Sequence, residues 1–278
     1  MRVDPTSGAA LSADRRSAPE RLAARAQVVQ LGVERLLAEA LDVEAQLYTA
    51  RYKDQRDEAG KRLVVRNGYL PARTIRCGAG AIRVRQPRVC DNRTDERGRR
   101  KRYASRILPA YARTATSIRM PDDGYYFQGL ATGDLTAAFR DMLGAVTEEL
   151  PGSFLPRLRE IWESRLEERQ RQSLRGRRFL QLWADEIPLR GPMQEHSLGT
   201  LTLYGSTTEG RVELLAARVG LLASEGAWID LLTDLHDRGM KLEPECFVDA
   251  GSSSFWGALR GVCARINAES SRQMEARG

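Results

Sequence analysis

The stretch from Phe179 to Asp249 most narrows what this chain can fold into. Phe179 to Leu189 is a short apolar run, Leu198 to Tyr204 alternates Leu with Thr, and Arg211 to Val219 follows the turn signal Thr207-Thr-Glu-Gly210. Short segments of this kind, joined by turn residues, predict an antiparallel meander, with Pro188 limiting how far the first strand pairs. A helix is expected next, with Ser224 as N-cap, Glu225 in its first turn, Trp228, Leu231, Leu232 and Leu235 on its buried stripe, and Gly239 as its stop. Glu245 to Asp249 then returns as a short buried strand. The first and last strands of this series carry an aspartate at or near their ends, Asp185 and Asp249.

Three strands, a helix and a strand are the opening of a ribonuclease-H-like sheet, in which the first and fourth strands are neighbours. Asp185 and Asp249 then approach each other, and two carboxylates that close repel unless a cation intervenes. Mg²⁺ suits such a pair because it prefers oxygen ligands and uses few protein groups. Two such ions activate an attacking oxygen and stabilise a leaving one during in-line displacement at phosphorus. Either aspartate alone reads as a turn cap; both together in this strand order read as metal ligands.

Upstream, residues up to Ser17 are small and polar and are expected to be a disordered lead. Ser17-Ala-Pro-Glu20 has the form of a capping box, and Leu22, Val29, Val33, Leu36, Leu37, Leu41 and Leu47 follow at helical spacing. The period changes after Arg62. Asn67-Gly68 is a turn signal, and Thr74 to Arg85 alternates around a Gly-rich turn, with Ile82 and Val84 facing one way and Arg83 and Arg85 the other, which predicts a small β-ribbon. Helical signals return from about Thr114. Tyr126 to Phe139 reads as helix, Gly-containing turn, helix, with Leu130, Leu135, Phe139 and Leu143 as its inner set, the outline of a helix-turn-helix. Phe154 to Gln172 is a further amphipathic helix.

The formal charge is +7, and it has an address. Between Arg83 and Arg106 stand ten basic residues against three acids, so the rest of the chain sums to zero. Arg83, Arg85, Arg88, Arg99, Arg100, Lys101 and Arg102 are therefore the candidate DNA-phosphate contacts. The four cysteines, Cys77, Cys90, Cys246 and Cys263, lack zinc-site spacing, and His196 and His236 stand in unrelated settings. No apolar run approaches membrane-spanning length and no signal-peptide core opens the chain, so a cytoplasmic, nucleoid-associated protein without a membrane partner is expected.

The runs Arg66-Asn-Gly-Tyr69, Gly80-Ala-Ile-Arg-Val-Arg-Gln-Pro-Arg88, Arg106-Ile-Leu-Pro-Ala-Tyr111 and Gly129-Leu-Ala-Thr-Gly-Asp134 resemble the amino-terminal half of Mutator-type insertion-sequence transposases. Leu182-Trp-Ala-Asp185, Leu231-Leu-Thr-Asp-Leu-His-Asp-Arg-Gly239, Val248-Asp249 and Phe255-Trp-Gly-Ala-Leu259 resemble that family's catalytic half, in register from about Glu34 to Val262. The resemblance implies cutting and transfer of double-stranded DNA at terminal inverted repeats, by an Asp-Asp-Glu triad with Mg²⁺ or Mn²⁺, in a homo-oligomer. It carries Asp185 over as first ligand and Asp249 as second.

Departures from the family pattern accompany the match. The loop from Asp249 to Phe255 is one residue longer, Pro121-Asp-Asp-Gly124 interrupts an expected helix, and neither Glu269 nor Glu275 falls at the position of the third acid. The expectation is a carboxy-terminally truncated transposase, inactive alone, or else a non-catalytic DNA-binding remnant that regulates an intact enzyme. Its expected layout is an α+β or α/β chain with a lead at 1–17, a DNA-binding helix and basic ribbon at 18–110, a helical part at 111–175, and an incomplete ribonuclease-H-like catalytic domain at 176–278.

Overall fold

The apolar stripe that begins the ordered sequence forms helix α1 (Ala18–Arg51), on which Val29, Val33, Leu36, Leu37 and Leu41 are buried as their spacing predicts. The structure, a computed structural model, describes residues 18–190, 197–243, 246–250 and 252–275. Ser17 and the expected lead at 1–17 lie outside the described residues, as does His196. Leu22 departs from the expected stripe: it is 48% exposed, and Ala24 and Val28 take the buried positions instead. A stripe drawn from large residues alone misplaces a helix face on which alanine and valine do the packing.

The chain divides into two compact units that interleave in sequence. One comprises Met1–Val28, Asp123–Asp134 and Arg165–Gly278, the other Val29–Asp122 and Leu135–Ser164. The second unit holds the short strands β1 (Val64–Tyr69), β2 (Arg73–Cys77), β3 (Gly80–Val84), β4 (Pro87–Asp91) and β5 (Thr114–Ala115). β2 and β3 form the ribbon read from the sequence, with Ile75 opposite Ile82, both fully buried, while Arg83 and Arg85 are exposed.

Two local expectations change here. Asn67-Gly68 makes no hairpin turn: it lies inside β1, which pairs antiparallel with β4, and the register slips by one residue between Arg66 and Tyr69. The positive φ of Gly68, +63°, serves a bulge, because the partner strand comes from further along the chain and not from the next segment. Thr114 opens no helix either. Thr114 and Ala115 pair in parallel with Arg76 and Cys77, and helix α2 (Asp123–Thr132) starts only after Pro121.

Helix α3 (Thr136–Leu143) buries Ala138, Phe139, Met142 and Leu143, and a 3-10 turn, Gly144–Glu149, leads towards helix α4 (Phe154–Arg171). Within the second unit Phe139 meets Phe154 and Trp162 at ring-centroid distances of 5.7 and 6.1 Å. The Trp162 indole donates to Glu39 Oε2 at 2.8 Å, which satisfies a buried carboxylate.

The first unit is built on a four-stranded sheet of β6 (Phe179–Pro188), β7 (Leu198–Thr207), β8 (Val212–Leu221) and β9 (Phe247–Ala250), in the order β8-β7-β6-β9. β6, β7 and β8 are the antiparallel meander that their patterning predicts. β9 returns parallel to β6, so the first and fourth strands of the series are neighbours. The crossover is helix α5 (Glu225–Asp237), and helix α6 (Ser253–Glu275) follows β9. Ser224 Oγ accepts from the Ala227 N–H at 3.3 Å, and Gly239 ends the α5 region at φ +94°. Leu182, Ala184, Leu201 and Leu203 on one sheet face pack with Trp228, Leu232, Leu235, Phe255 and Leu259 of the two helices. The other face meets α2, where Phe127 and Tyr204 lie edge to face at 5.8 Å. Among the described residues no helix is long and apolar enough to cross a membrane.

Candidate functional site

Alternation along β6 sends neighbouring acids to opposite faces of the sheet. Glu186 falls on the α5 and α6 face, where its Oε1 accepts from the Trp228 indole at 2.7 Å and its Oε2 from the Ala223 N–H at 2.9 Å. Asp185 falls on the α2 face, opposite Thr202 in the register, and is 5% exposed. A carboxylate this buried needs partners, and α1 supplies them. Arg21 Nη1 reaches Asp185 Oδ1 at 3.1 Å and Arg25 Nη1 reaches Oδ2 at 3.0 Å. The Glu186 N–H donates to Oδ1 as well, and Arg25 Nε pairs with Asp123 of α2 at 2.9 Å.

Burial pushes the Asp185 carboxyl above the usual carboxylate range, and the two guanidiniums oppose that shift. Tyr204, from the same sheet face, is held well above its ordinary value by burial and then by the charge of Asp185. Its hydroxyl oxygen is 2.8 Å from Thr202 Oγ1. Sequence reasoning missed Arg21, Arg25 and Asp123. The available signal was two arginines four residues apart on the face of α1 that also carries Ala24 and Val28, an odd place for charge unless a buried acid waits opposite.

Asp249 has its backbone in β9, in register with Trp183, two positions before Asp185 along β6. The pairing slips between Leu182 and Trp183, so β9 carries a bulge immediately before that aspartate. The Asp249 side chain lies outside the described residues. The oxygen chemistry of the site suits a hard cation, but the described residues alone do not make a cation site. Both Asp185 oxygens are bonded to guanidiniums, and among the described residues no group of three or more His, Cys, Asp or Glu side chains converges.

The basic residues belong to the other unit. Arg83, Arg85, Arg88, Arg99, Arg100, Lys101 and Arg102 are all exposed. Arg85 and Arg66 both lie over the Tyr69 ring, at 4.7 and 4.8 Å, and Asp42 accepts from Arg66 at 2.6 Å and from the Tyr69 hydroxyl at 3.1 Å. Asp95 organises the loop beyond β4 by accepting from the Arg97 and Arg99 N–H groups, both at 2.9 Å, and pairing with the Arg99 guanidinium. Arg93 is different in kind. It is drawn inward onto Asp91 and over the Tyr52 ring, so the run of ten basic residues includes one that serves the core.

The described residues thus make a meander with a parallel fourth strand, an acid buried on the first strand of that meander, and a separate unit with exposed arginines. The model of the family described as "Transposase, Mutator family" matches residues 8–245, and the chain belongs to that family. It is 32% identical over 137 residues to the transposase for insertion sequence element IS6120 of Mycolicibacterium smegmatis, a match covering 49% of this chain and 42% of that relative. It is also 31% identical over 125 residues to the transposase for insertion sequence element IST2 of Acidithiobacillus ferrooxidans, covering 42% and 40%. The matched region thus spans about two fifths of the length of these relatives.

Proposed function

We propose that this chain acts as an insertion-element transposase, in which Asp185 and Asp249 are two acids of a ribonuclease-H-like active site. The observation that carries the reading is the parallel pairing of β6 with β9, which sets the Asp249 backbone two register positions from Asp185. The relatives' names support transposition as the process. On this reading the substrate is double-stranded DNA at the terminal inverted repeats of the element. Arg83, Arg85, Arg88 and the Arg99 to Arg102 loop bind its phosphates, and Asp185 and Asp249 together would hold Mg²⁺ or Mn²⁺. The cation, when bound, supplies Lewis-acid activation of the phosphodiester for cleavage and strand transfer. The protein's own part is to bring the backbone at Asp249 beside the strand that carries Asp185 and to track the duplex backbone. The acting form is a homo-oligomer.

A second reading is favoured by one observation, the pairing of Asp185 with two arginines in place of a cation. It makes the chain a non-catalytic DNA binder that competes with a complete transposase. One experiment separates the two. The purified chain is incubated with a duplex bearing an element end and Mg²⁺ or Mn²⁺, alongside Asp185→Asn and Asp249→Asn. Metal-dependent nicking lost in both variants supports the catalytic reading. Nicking that persists in both removes the acid pair from the chemistry. Tight binding without nicking, unchanged in the variants, selects the second reading.

A further inference from the structure

In the basic unit the chain leaves the core after Ile107 and Leu108, both buried, and joins the small sheet again at β5. Tyr111 stands between. The Ala112 N–H donates to the Pro109 carbonyl at 3.2 Å, so Pro109 to Ala112 is a tight turn with Tyr111 in its third place. Tyr111 has φ +64°, left-handed backbone that suits glycine and strains a bulky residue. Burial does not offset that strain, because Tyr111 is 79% exposed.

The turn is held from the sheet side instead. Arg73 of β2 donates through Nη2 to the Pro109 carbonyl at 3.2 Å and through Nε to the Ala112 carbonyl at 3.1 Å. Gln86, itself buried, donates to the Leu108 carbonyl at 2.8 Å and accepts from Arg73 Nη2 at 3.0 Å. The Arg76 N–H donates to the Arg113 carbonyl at 2.9 Å on the far side of the turn. Backbone on both sides of an exposed ring is therefore fixed in a conformation that the ring itself disfavours, the kind of strain that gathers at binding sites.

The surroundings select the partner. From Arg97 to Met120 the chain carries eight Lys and Arg residues and no acid. In the sheet of order β3-β2-β5, Arg76 and Arg83 are exposed and diagonal to each other across the β2–β3 pair. Glu34 of α1 reaches this sheet, where its Oε1 accepts from the Arg83 N–H at 3.1 Å. A cationic surface with a projecting aromatic ring matches a strand of nucleic acid, whose phosphates meet the charges and whose bases offer flat faces to the ring. Stacking needs a base with an open face, which a fully paired duplex does not present.

We propose that Tyr111 is a base-stacking residue of the basic unit, taking an unpaired base of the DNA while the neighbouring arginines hold its phosphates. The proposal rests on the reading of this unit as a DNA binder. It gives the unit a preference for DNA ends with open bases over uninterrupted duplex.

The test uses the full chain, a blunt duplex, and the same duplex carrying a short unpaired tail that contains 2-aminopurine, whose fluorescence falls on stacking. The natural chain should bind the tailed probe more tightly and quench it. Tyr111→Ala should weaken binding of the tailed probe about tenfold, as expected for one stacked base, and leave the blunt duplex and the salt slope unchanged. Tyr111→Phe should keep both affinity and quenching. Tyr111→Gly should bind the tail as weakly as Tyr111→Ala yet melt no lower than the natural chain, since glycine suits the left-handed backbone. That pairing of retained stability with lost binding is one a merely structural tyrosine would not produce.

If the natural chain binds neither probe, the DNA-binding reading falls and this proposal with it. If it binds both and loses affinity on neutralising Arg99, Arg100 and Arg102, while the Tyr111 variants bind and quench as the natural chain does, the DNA-binding reading stands and this proposal alone is overturned. A Tyr111→Gly chain that melts lower and weakens on both probes alike makes the residue structural and overturns it as well.

Discussion

Asp91 shows how a basic stretch can spend one of its charges on folding. Its carboxylate accepts from Arg93 Nη2 at 2.6 Å, Arg93 Nε at 2.9 Å, the Arg93 N–H at 3.0 Å and the Tyr48 hydroxyl at 2.7 Å, and its side chain is fully buried. Hydrogen bonding to Arg93 pulls the Asp91 carboxyl down to about 2, while burial and then Asp91 push Tyr48 up to about 12. Because the folded carboxyl lies below its unfolded value of about 3.9, its contribution is complete above pH 4 and disappears as pH falls from about 4 towards about 2. Asp91→Asn should therefore cost about 2.6 kcal/mol at neutral pH, the difference between about 3.9 and about 2 converted at about 1.36 kcal/mol per pH unit. Urea unfolding at pH 7, 4 and 2.5 measures this, and a deficit that stays constant across that range would remove the ion pair from the account.

At the scale of elements, the meander's close approaches set its tolerance to change. A Cβ on Gly199, at the start of β7, would overlap Leu222 Cδ2 and lie 2.8 Å from the Ile187 carbonyl oxygen, so backbone has to move. Gly210, in the β7–β8 turn, has φ +75° and open space around it. Gly199→Ala should cost about 1–3 kcal/mol by overpacking, more than the cost of about 1 kcal/mol expected for Gly210→Ala from left-handed backbone alone. Thermal melts of the two variants give the order, and a smaller loss at Gly199 would mean the strand shifts freely. These elements were legible in the sequence wherever local signals agreed. Ser224, Trp228, Leu235 and Gly239 mark α5 without ambiguity, and the Leu/Thr alternation marks β7. Asn67-Gly68 misled because a turn signal and a bulge signal are the same residues, and only the distant partner β4 decides between them. Asp185 stood out as a candidate because it ends an apolar run in the sequence. Arg21 and Arg25 did not, since their partner is about 160 residues away and periodicity says which helix face is buried, not what it is buried against.

At the scale of the whole molecule, the residues that carry the net charge and the residue proposed for chemistry fall in different compact units. Residues 83–106 hold a surplus of seven positive charges within the unit Val29–Asp122 and Leu135–Ser164, while Asp185 belongs to the other. The sequence suggested consecutive segments meeting near 110 and 175, whereas α1 and α4 each contribute to both units. Affinity for duplex DNA is accordingly expected to depend on the basic unit and to be insensitive to Asp185. Replacing Arg99, Arg100 and Arg102 with Gln removes three exposed cations and breaks only one exposed ion pair, that of Arg99 with Asp95, which contributes little to stability. If each of the three neutralises one phosphate, the slope of log affinity against log salt should become shallower by about 2.7, at about 0.9 per contact. Fluorescence anisotropy with a short duplex between 50 and 200 mM salt, a range over which about six to ten such contacts change affinity by 10³–10⁵, resolves a difference of that size. An unchanged slope with unchanged affinity would take the loop off the DNA and leave the ribbon arginines, Arg83, Arg85 and Arg88, as the contacts to test next.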